Sequence, residues 1–104
     1  MSARVLAGAP RLLPDAEALA AEGFVPGGTG RNREFLGRMV DWDDEVPSVL
    51  RDLLCDAQTS GGLLAVLPPA DASALAAEWE AAGYAASVIG RIEPRDTAII
   101  AVEP

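Results

Sequence analysis

The chain has 104 residues, of which 16 are acidic and eight are basic, so its formal net charge is −8. Every basic residue is an arginine, and the absence of lysine and histidine excludes a catalytic histidine, a Schiff-base lysine and a histidine metal site. A nucleic-acid partner is not expected for so acidic a chain, because binding to a polyanion needs a basic surface.

Size and composition predict a single cytoplasmic domain with a modest hydrophobic core. The chain has one cysteine, Cys55, which therefore cannot form an internal disulfide. No apolar run approaches the ~20 residues that a membrane helix needs, so we expect no membrane partner. We also expect no signal peptide ahead of the domain.

The first half of the chain predicts one strand and three helices. Residues 2–7 predict a short strand. Residues 14–23 predict a helix, because proline and acidic residues fill its first turn and a glycine stands at its end. A glycine-rich turn at 27–30 leads into a second helix, with apolar side chains at helical spacing over 35–40. The i, i+3, i+4, i+7 spacing over 46–53 predicts a third helix.

An acidic patch lies between the second and third predicted helices, with four carboxylates in residues 41–45. We interpret Asp43 to Glu45 as the N-terminal cap of the third helix, where the helix dipole favours negative charge. The alternative is a Mg²⁺ or Ca²⁺ site, although a Ca²⁺ loop needs spaced oxygen ligands and usually a sharp glycine turn.

The second half predicts three strands and one helix. The apolar run 63–67, ended by two prolines, predicts a strand buried on both faces. A helix capped by Asp71 follows and runs to about Ala82. Residues 84–92 and 97–102 predict two strands, and their short connection makes them an antiparallel hairpin. The expected fold is therefore a small α/β or α+β domain, with a mixed or antiparallel sheet and helices packed on one face.

Two polar, glycine-rich segments are candidate ligand loops. Residues 56–62 combine a carboxylate, a carboxamide, two hydroxyls and two adjacent glycines, which let backbone N–H groups approach an anion. Residues 27–33 place glycines, a threonine and two arginines where a helix begins, another arrangement suited to anions, although they lack the P-loop pattern. Well-capped or solvated turns are the alternatives. The candidate phosphate-side or nucleotide-side residues are Gly27, Gly28, Thr29, Asn32, Asp56, Gln58, Thr59, Ser60, Gly61 and Gly62.

Three segments resemble selenophosphate synthetase (selenide, water dikinase). Residues 56–64, Asp-Ala-Gln-Thr-Ser-Gly-Gly-Leu-Leu, resemble the family's Asp-Pro-Gln-Thr-Ser-Gly-Gly-Leu-Leu signature and depart from it only at Ala57. Residues 26–33 resemble its Gly-Gly-Thr-x-x-Asn segment, and 86–92 resemble its closing Val-Ile-Gly strand. The matches occur in the family's order and cover most of the chain.

The resemblance implies ATP-dependent formation of selenophosphate from selenide, with Mg²⁺, in a dimer of two-domain subunits. In that family the reactive cysteine or selenocysteine, its neighbouring lysine and most metal-binding aspartates lie in an N-terminal ATP-binding domain. Residues 1–104 then correspond to one partial C-terminal domain, related to that of aminoimidazole ribonucleotide synthetase. Its expected partners are the missing N-terminal domain and a second subunit. For this chain alone we expect no catalytic residue, no metal ligand, no bound cofactor and no activity.

Two residues where the signature begins need separate interpretation. Cys55 is not the family's reactive cysteine, and as a small half-buried residue it is inert by default. Asp56 either orients the loop by accepting backbone N–H bonds or approaches a metal. Two other functions stay open, namely a domain from another ATP enzyme of the same superfamily and a free-standing binding module.

Overall fold

A computed structural model describes residues 1–94 and 99–104, and within them four strands and four α-helices. In chain order these are β1 Ser2–Leu6, α1 Ala16–Ala21, α2 Gly27–Leu36, β2 Val40–Trp42, α3 Ser48–Leu54, α4 Pro69–Ala81, β3 Gly90–Glu93 and β4 Ile100–Glu103. A 3₁₀ turn, Gly37–Met39, joins α2 to β2. The predicted α/β class is confirmed, as are the first strand and the four helices.

The strands form one mixed sheet in the order β2-β4-β1-β3. The central strand β1 runs parallel to β4 and antiparallel to β3, so that Arg4 lies opposite Ala101 on one side and Arg91 on the other. The outer strand β2 runs parallel to β4. The predicted hairpin between the last two strands is therefore wrong, because β1 lies between them.

The two faces of the sheet differ in chemistry. Side chains alternate along a strand, and one face carries the buried residues Val40 and Val102 with half-buried Val5 and Ile100. Leu36 at the end of α2 and two residues of α3, Leu50 and Leu54, pack against this cluster, which also includes buried Ala7 and Val46. Helices therefore cover one face, as predicted. The opposite face carries the ion-paired side chains Arg4, Arg91, Glu93 and Glu103.

Strand pairing departs from the sequence in three places. The apolar run 63–67 is not a strand and has no strand partner among the described residues, and Leu63 is 88% exposed. The predicted strand 84–92 shortens to β3, and the part of the last predicted strand at 97–98 lies outside the described residues. Strand β2 falls where we predicted the end of a helix, because Gly37, at φ +34°, ends α2.

Helix α4 begins at Pro69 with Pro68 at its N-cap, so Asp71 lies in its first turn and is not the cap we predicted. A 2.6 Å ion pair between Arg11 and Glu80 ties α4 to the segment between β1 and α1. None of the helices in the described ranges is long and apolar enough to cross a membrane.

Candidate functional site

The first candidate segment forms the start of α2. The predicted glycine-rich turn at 27–30 is already helical, because the chain enters from Pro26 in an extended conformation and the Thr29 N–H bonds the Pro26 carbonyl at 3.0 Å. Thr29 is only 1% exposed, whereas Asn32, one turn further along, lies at the surface. The beginning of α2 thus presents one buried and one exposed polar side chain.

The second candidate segment follows the end of α3, and its first residues contact α2. The Thr29 hydroxyl donates to Oδ1 of Asp56 at 3.2 Å, and the Asn32 amide donates to the carbonyl oxygen of Cys55 at 2.9 Å. The other Asp56 oxygen accepts a 3.4 Å bond from the side-chain amide of Gln58. Both Asp56 oxygens therefore accept from side-chain donors, whereas the first of our two interpretations expected backbone N–H donors.

The two segments also touch without any polar group between them. A Cβ atom placed on Gly28 would lie 2.6 Å from the Cβ of Ala57, a separation that nonbonded carbon atoms do not tolerate. Glycine at 28 is therefore required by close approach, independently of its backbone angles. We call residues 55–58 the inner half of the loop and residues 59–62 its outer half. The outer half is exposed throughout.

Charge around the inner half is paired between helices. Arg33 of α2 contacts Asp52 of α3, with 2.5 Å between Nη1 and Oδ1. Cys55 is buried, and burial is the main reason why the pKa of its thiol is raised, with Asp52 adding to the rise and Arg33 opposing it. A raised pKa keeps the thiol protonated at neutral pH, and the thiolate is the nucleophilic form.

Two open cavities flank Asp56. One, of about 210 Å³, lies among α1, α2 and α3, with Leu19, Phe24, Thr29 and Leu53 in its wall. The other, of about 250 Å³, lies between Phe35 and Leu54. Sites for drug-sized ligands usually span roughly 300–1,000 Å³, so neither cavity encloses a nucleotide.

The acidic patch at 41–45 begins in β2, which includes Asp41, and continues into a turn at 44–45. The Asp43 carboxylate accepts a 2.9 Å bond from the backbone N–H of Glu45, and α3 begins later, at Ser48, with Pro47 at its N-cap. The predicted helix cap at 43–45 is therefore wrong. The part of the chain that the structure describes holds no group of three or more His, Cys, Asp or Glu side chains placed to hold a metal ion.

No family model matches the chain, but curated proteins do, among them the following three. It is 40% identical over 100 residues to a selenide, water dikinase of Pelobacter propionicus, across 93% of this chain and 29% of the relative. Identity to the selenide, water dikinase of Yersinia pseudotuberculosis is 47% over 91 residues, across 85% and 24%. For that of Bordetella bronchiseptica it is 50% over 82 residues, across 77% and 23%. The chain is homologous to part of the selenide, water dikinases.

The homology includes both candidate segments. The match to the Pelobacter propionicus dikinase covers 93% of this chain, which leaves too few residues outside it to exclude either 27–33 or 56–62. The chain spans about a quarter of the length of the dikinases it matches. Most of each dikinase thus has no counterpart in these 104 residues.

The structure brings six of the ten candidate residues of this dikinase-like chain together. Gly27, Gly28, Thr29 and Asn32 begin one helix, and two of these side chains bond the chain at 55–56, beside Gln58. The outer-half residues Thr59, Ser60, Gly61 and Gly62 are all exposed. Sequence reasoning missed the Cys55 carbonyl and the pairing of the two segments, because neither leaves a signal in residue spacing.

Proposed function

We propose that this chain is part of the C-terminal domain of a selenide, water dikinase and contributes to ATP-dependent formation of selenophosphate from selenide. The observation that carries the proposal is the junction of the two segments that resemble the family. Residues 27 and 56 lie far apart in sequence, yet Thr29 of the first segment bonds Asp56 of the second, and Asn32 bonds the residue just before it, Cys55. The two segments that resemble the family thus form one local structure.

The proposed contribution is the outer half of the loop. Phosphoryl transfer is catalysed by positioning and by charges arranged around the phosphates and the metal ions. Here the inner half is bonded to α2, whereas Thr59 and Ser60 present hydroxyls and Gly61 and Gly62 present backbone N–H groups at the surface. We propose that these groups meet the phosphate end of ATP, which the N-terminal domain of the family holds with Mg²⁺.

The nucleophile of the reaction is proposed to lie outside this chain. Cys55 is 4% exposed and its pKa is raised, so it offers no accessible thiolate. Both Asp56 oxygens accept hydrogen bonds from side chains of this chain, which favours an orienting role over a metal-binding one. The ATP-binding N-terminal domain and a second subunit therefore remain the proposed partners, in the cytoplasm.

Exposed apolar side chains favour a larger enzyme over a free-standing binding module. Leu63, Leu64, Val66 and Tyr84 are between 69% and 88% exposed. A contiguous apolar patch on a monomer usually marks a contact surface. We propose that this contact is with the N-terminal domain or the second subunit, which the rest of a larger enzyme would supply.

A chimera tests the proposal. The segment of the Pelobacter propionicus dikinase that matches this chain is replaced by residues 1–104, and selenophosphate formation is followed by ³¹P NMR. We expect the chimera to be active and to lose at least tenfold in rate with Gly61→Val, because a side chain there blocks approach to the loop. A folded chimera without activity, or one indifferent to Gly61→Val, would contradict the proposal.

A further inference from the structure

We infer that Thr29 and Asn32 are positioning residues, which fix the inner half of the loop before any ligand arrives. The inference deepens the proposed function, on which it rests for the meaning of the loop. The inference is based on three contacts between α2 and residues 55–57, made by Gly28, Thr29 and Asn32.

The first contact is buried. Thr29 is 1% exposed, so its hydroxyl has little access to water and uses Asp56 as its acceptor. A buried hydroxyl needs a partner, and a bond to a carboxylate is stronger than a bond to a neutral acceptor. The same carboxylate accepts the Gln58 amide on its other oxygen, so the bond from Thr29 also orients residue 58.

The second contact lies at the surface. The Asn32 side chain is exposed, yet its amide reaches the Cys55 carbonyl at 2.9 Å. That carbonyl follows the last turn of α3, where helix carbonyls lack partners within the helix. Since Asn32 fills no space in the core, its contribution is to the direction in which the chain leaves α3.

The third contact sets the distance between the segments. With no side chain at 28, the backbone of α2 approaches Ala57 so closely that even a methyl group would clash with the Ala57 Cβ. Positions 28 and 57 are therefore linked, because a larger residue at one requires a smaller residue at the other.

The three contacts end at residue 57, and the bond between Gln58 and Asp56 extends the fixed segment to residue 58. The polar groups of 59–62 start from a fixed base, so a ligand or a neighbouring domain that binds them does not have to order residues 55–58. Preorganisation of this kind lowers the entropic cost of binding.

The test uses the ¹⁵N-labelled chain without ligand and measures backbone order parameters, which are about 0.85 in rigid backbone and below about 0.6 in flexible segments. We expect values near the rigid limit for residues 56–58, and a fall below about 0.6 in Thr29→Val and Asn32→Ala. Thr29→Ser, which keeps the hydroxyl, should retain the order. Glu34→Ala, an exposed change on the same helix, is the matched control and should leave the loop unchanged.

Two results would overturn the inference: a flexible inner half in the unmodified chain, or order that survives both Thr29→Val and Asn32→Ala. If Thr29→Val does not fold, the exposed Asn32→Ala variant decides alone. Gly28→Ala should also loosen residues 56–58, and the added Ala57→Gly change should restore them.

The activity of the chimera separates this inference from the proposed function. A folded chimera that forms no selenophosphate would count against the proposed function, whereas the order of 56–58 is measured in the chain without ligand and stands or falls independently.

Discussion

Arg51 joins three parts of the chain through one side chain. Its Nε donates to the Val46 carbonyl at 2.9 Å and its Nη2 to the Asp43 carbonyl at 2.8 Å, while the guanidinium lies 5.7 Å from the centre of the Trp42 ring. A planar group with several fixed donors makes these contacts together, and a lysine ammonium does not reproduce that geometry.

We therefore expect Arg51→Lys and Arg51→Met each to lower the free energy of unfolding by about 1–2 kcal/mol, through lost hydrogen bonds and the cation–π contact. Urea unfolding at pH 7 measures the change. Arg38→Met, an exposed arginine in the turn before β2, is the matched control and should stay within about 0.5 kcal/mol. Equal effects at 51 and 38 would mean that the contacts add no stability.

Glu93 makes the stability of the sheet depend on pH. Hydrogen bonds from Arg91 and Arg4 are the main causes that hold the pKa of its carboxyl below the usual 4.5, against a smaller opposite effect of desolvation. A carboxyl whose pKa is lower in the folded state adds stability above its unfolded pKa, and that stability is lost as the pH falls through the folded value.

Stability should accordingly decrease as the pH falls below about 4.5, and Glu93→Gln should weaken this dependence. Thermal unfolding between pH 7 and pH 3 measures it, with Glu78→Gln on the exposed side of α4 as the matched control. If the slopes of the unmodified chain and Glu93→Gln coincide, the ion pairs across the charged sheet face are not the cause.

At the scale of the element, the segment 63–67 has the apolar sequence of a buried strand, yet no described residue pairs with it as a strand. Leu63 and Leu64 are 88% and 76% exposed, whereas Val46, a smaller side chain, is 2% exposed. Exposed apolar side chains add little to the stability of the isolated chain but promote association.

The double change Leu63→Ser and Leu64→Ser should thus reduce binding of a hydrophobic dye and leave the free energy of unfolding within about 0.5 kcal/mol. Val46→Ala, the buried counterpart, should cost about 2 kcal/mol. Dye fluorescence and urea unfolding measure the two effects. A loss of several kcal/mol in the double variant would show that the segment is buried, as its sequence alone predicts.

The elements that sequence predicted well are those specified locally. Helices α1, α3 and α4 follow from apolar spacing and from prolines and glycines near their ends, and β1 from its residues. Strand β2 was missed because helical spacing continues through Met39 and Val40 although Gly37 ends the helix. The hairpin was wrong because strand order depends on contacts between distant residues, here those of β1 with β3 and β4. The contacts between α2 and residues 55–57 could not be predicted for the same reason, because they too join residues that are distant in sequence.

At the scale of the whole molecule, the surface for which we propose a function is the outer half of the loop. The chain spans between 23% and 29% of the length of the dikinases reported above. The reactive thiol that phosphoryl transfer to selenide would need is not supplied by Cys55, which is buried with a raised pKa. In the family that the chain resembles, the nucleophile and most metal-binding carboxylates lie in the N-terminal domain.

We therefore expect purified chain, given MgATP and selenide, to form no selenophosphate above the enzyme-free rate, as measured by ³¹P NMR. The full-length Pelobacter propionicus dikinase in the same buffer is the positive control. Turnover that stays with the chain through purification and falls with Gly61→Val would contradict this expectation, because the loop would then belong to a complete site. Turnover that is lost from the chain during purification would instead identify a contaminating enzyme.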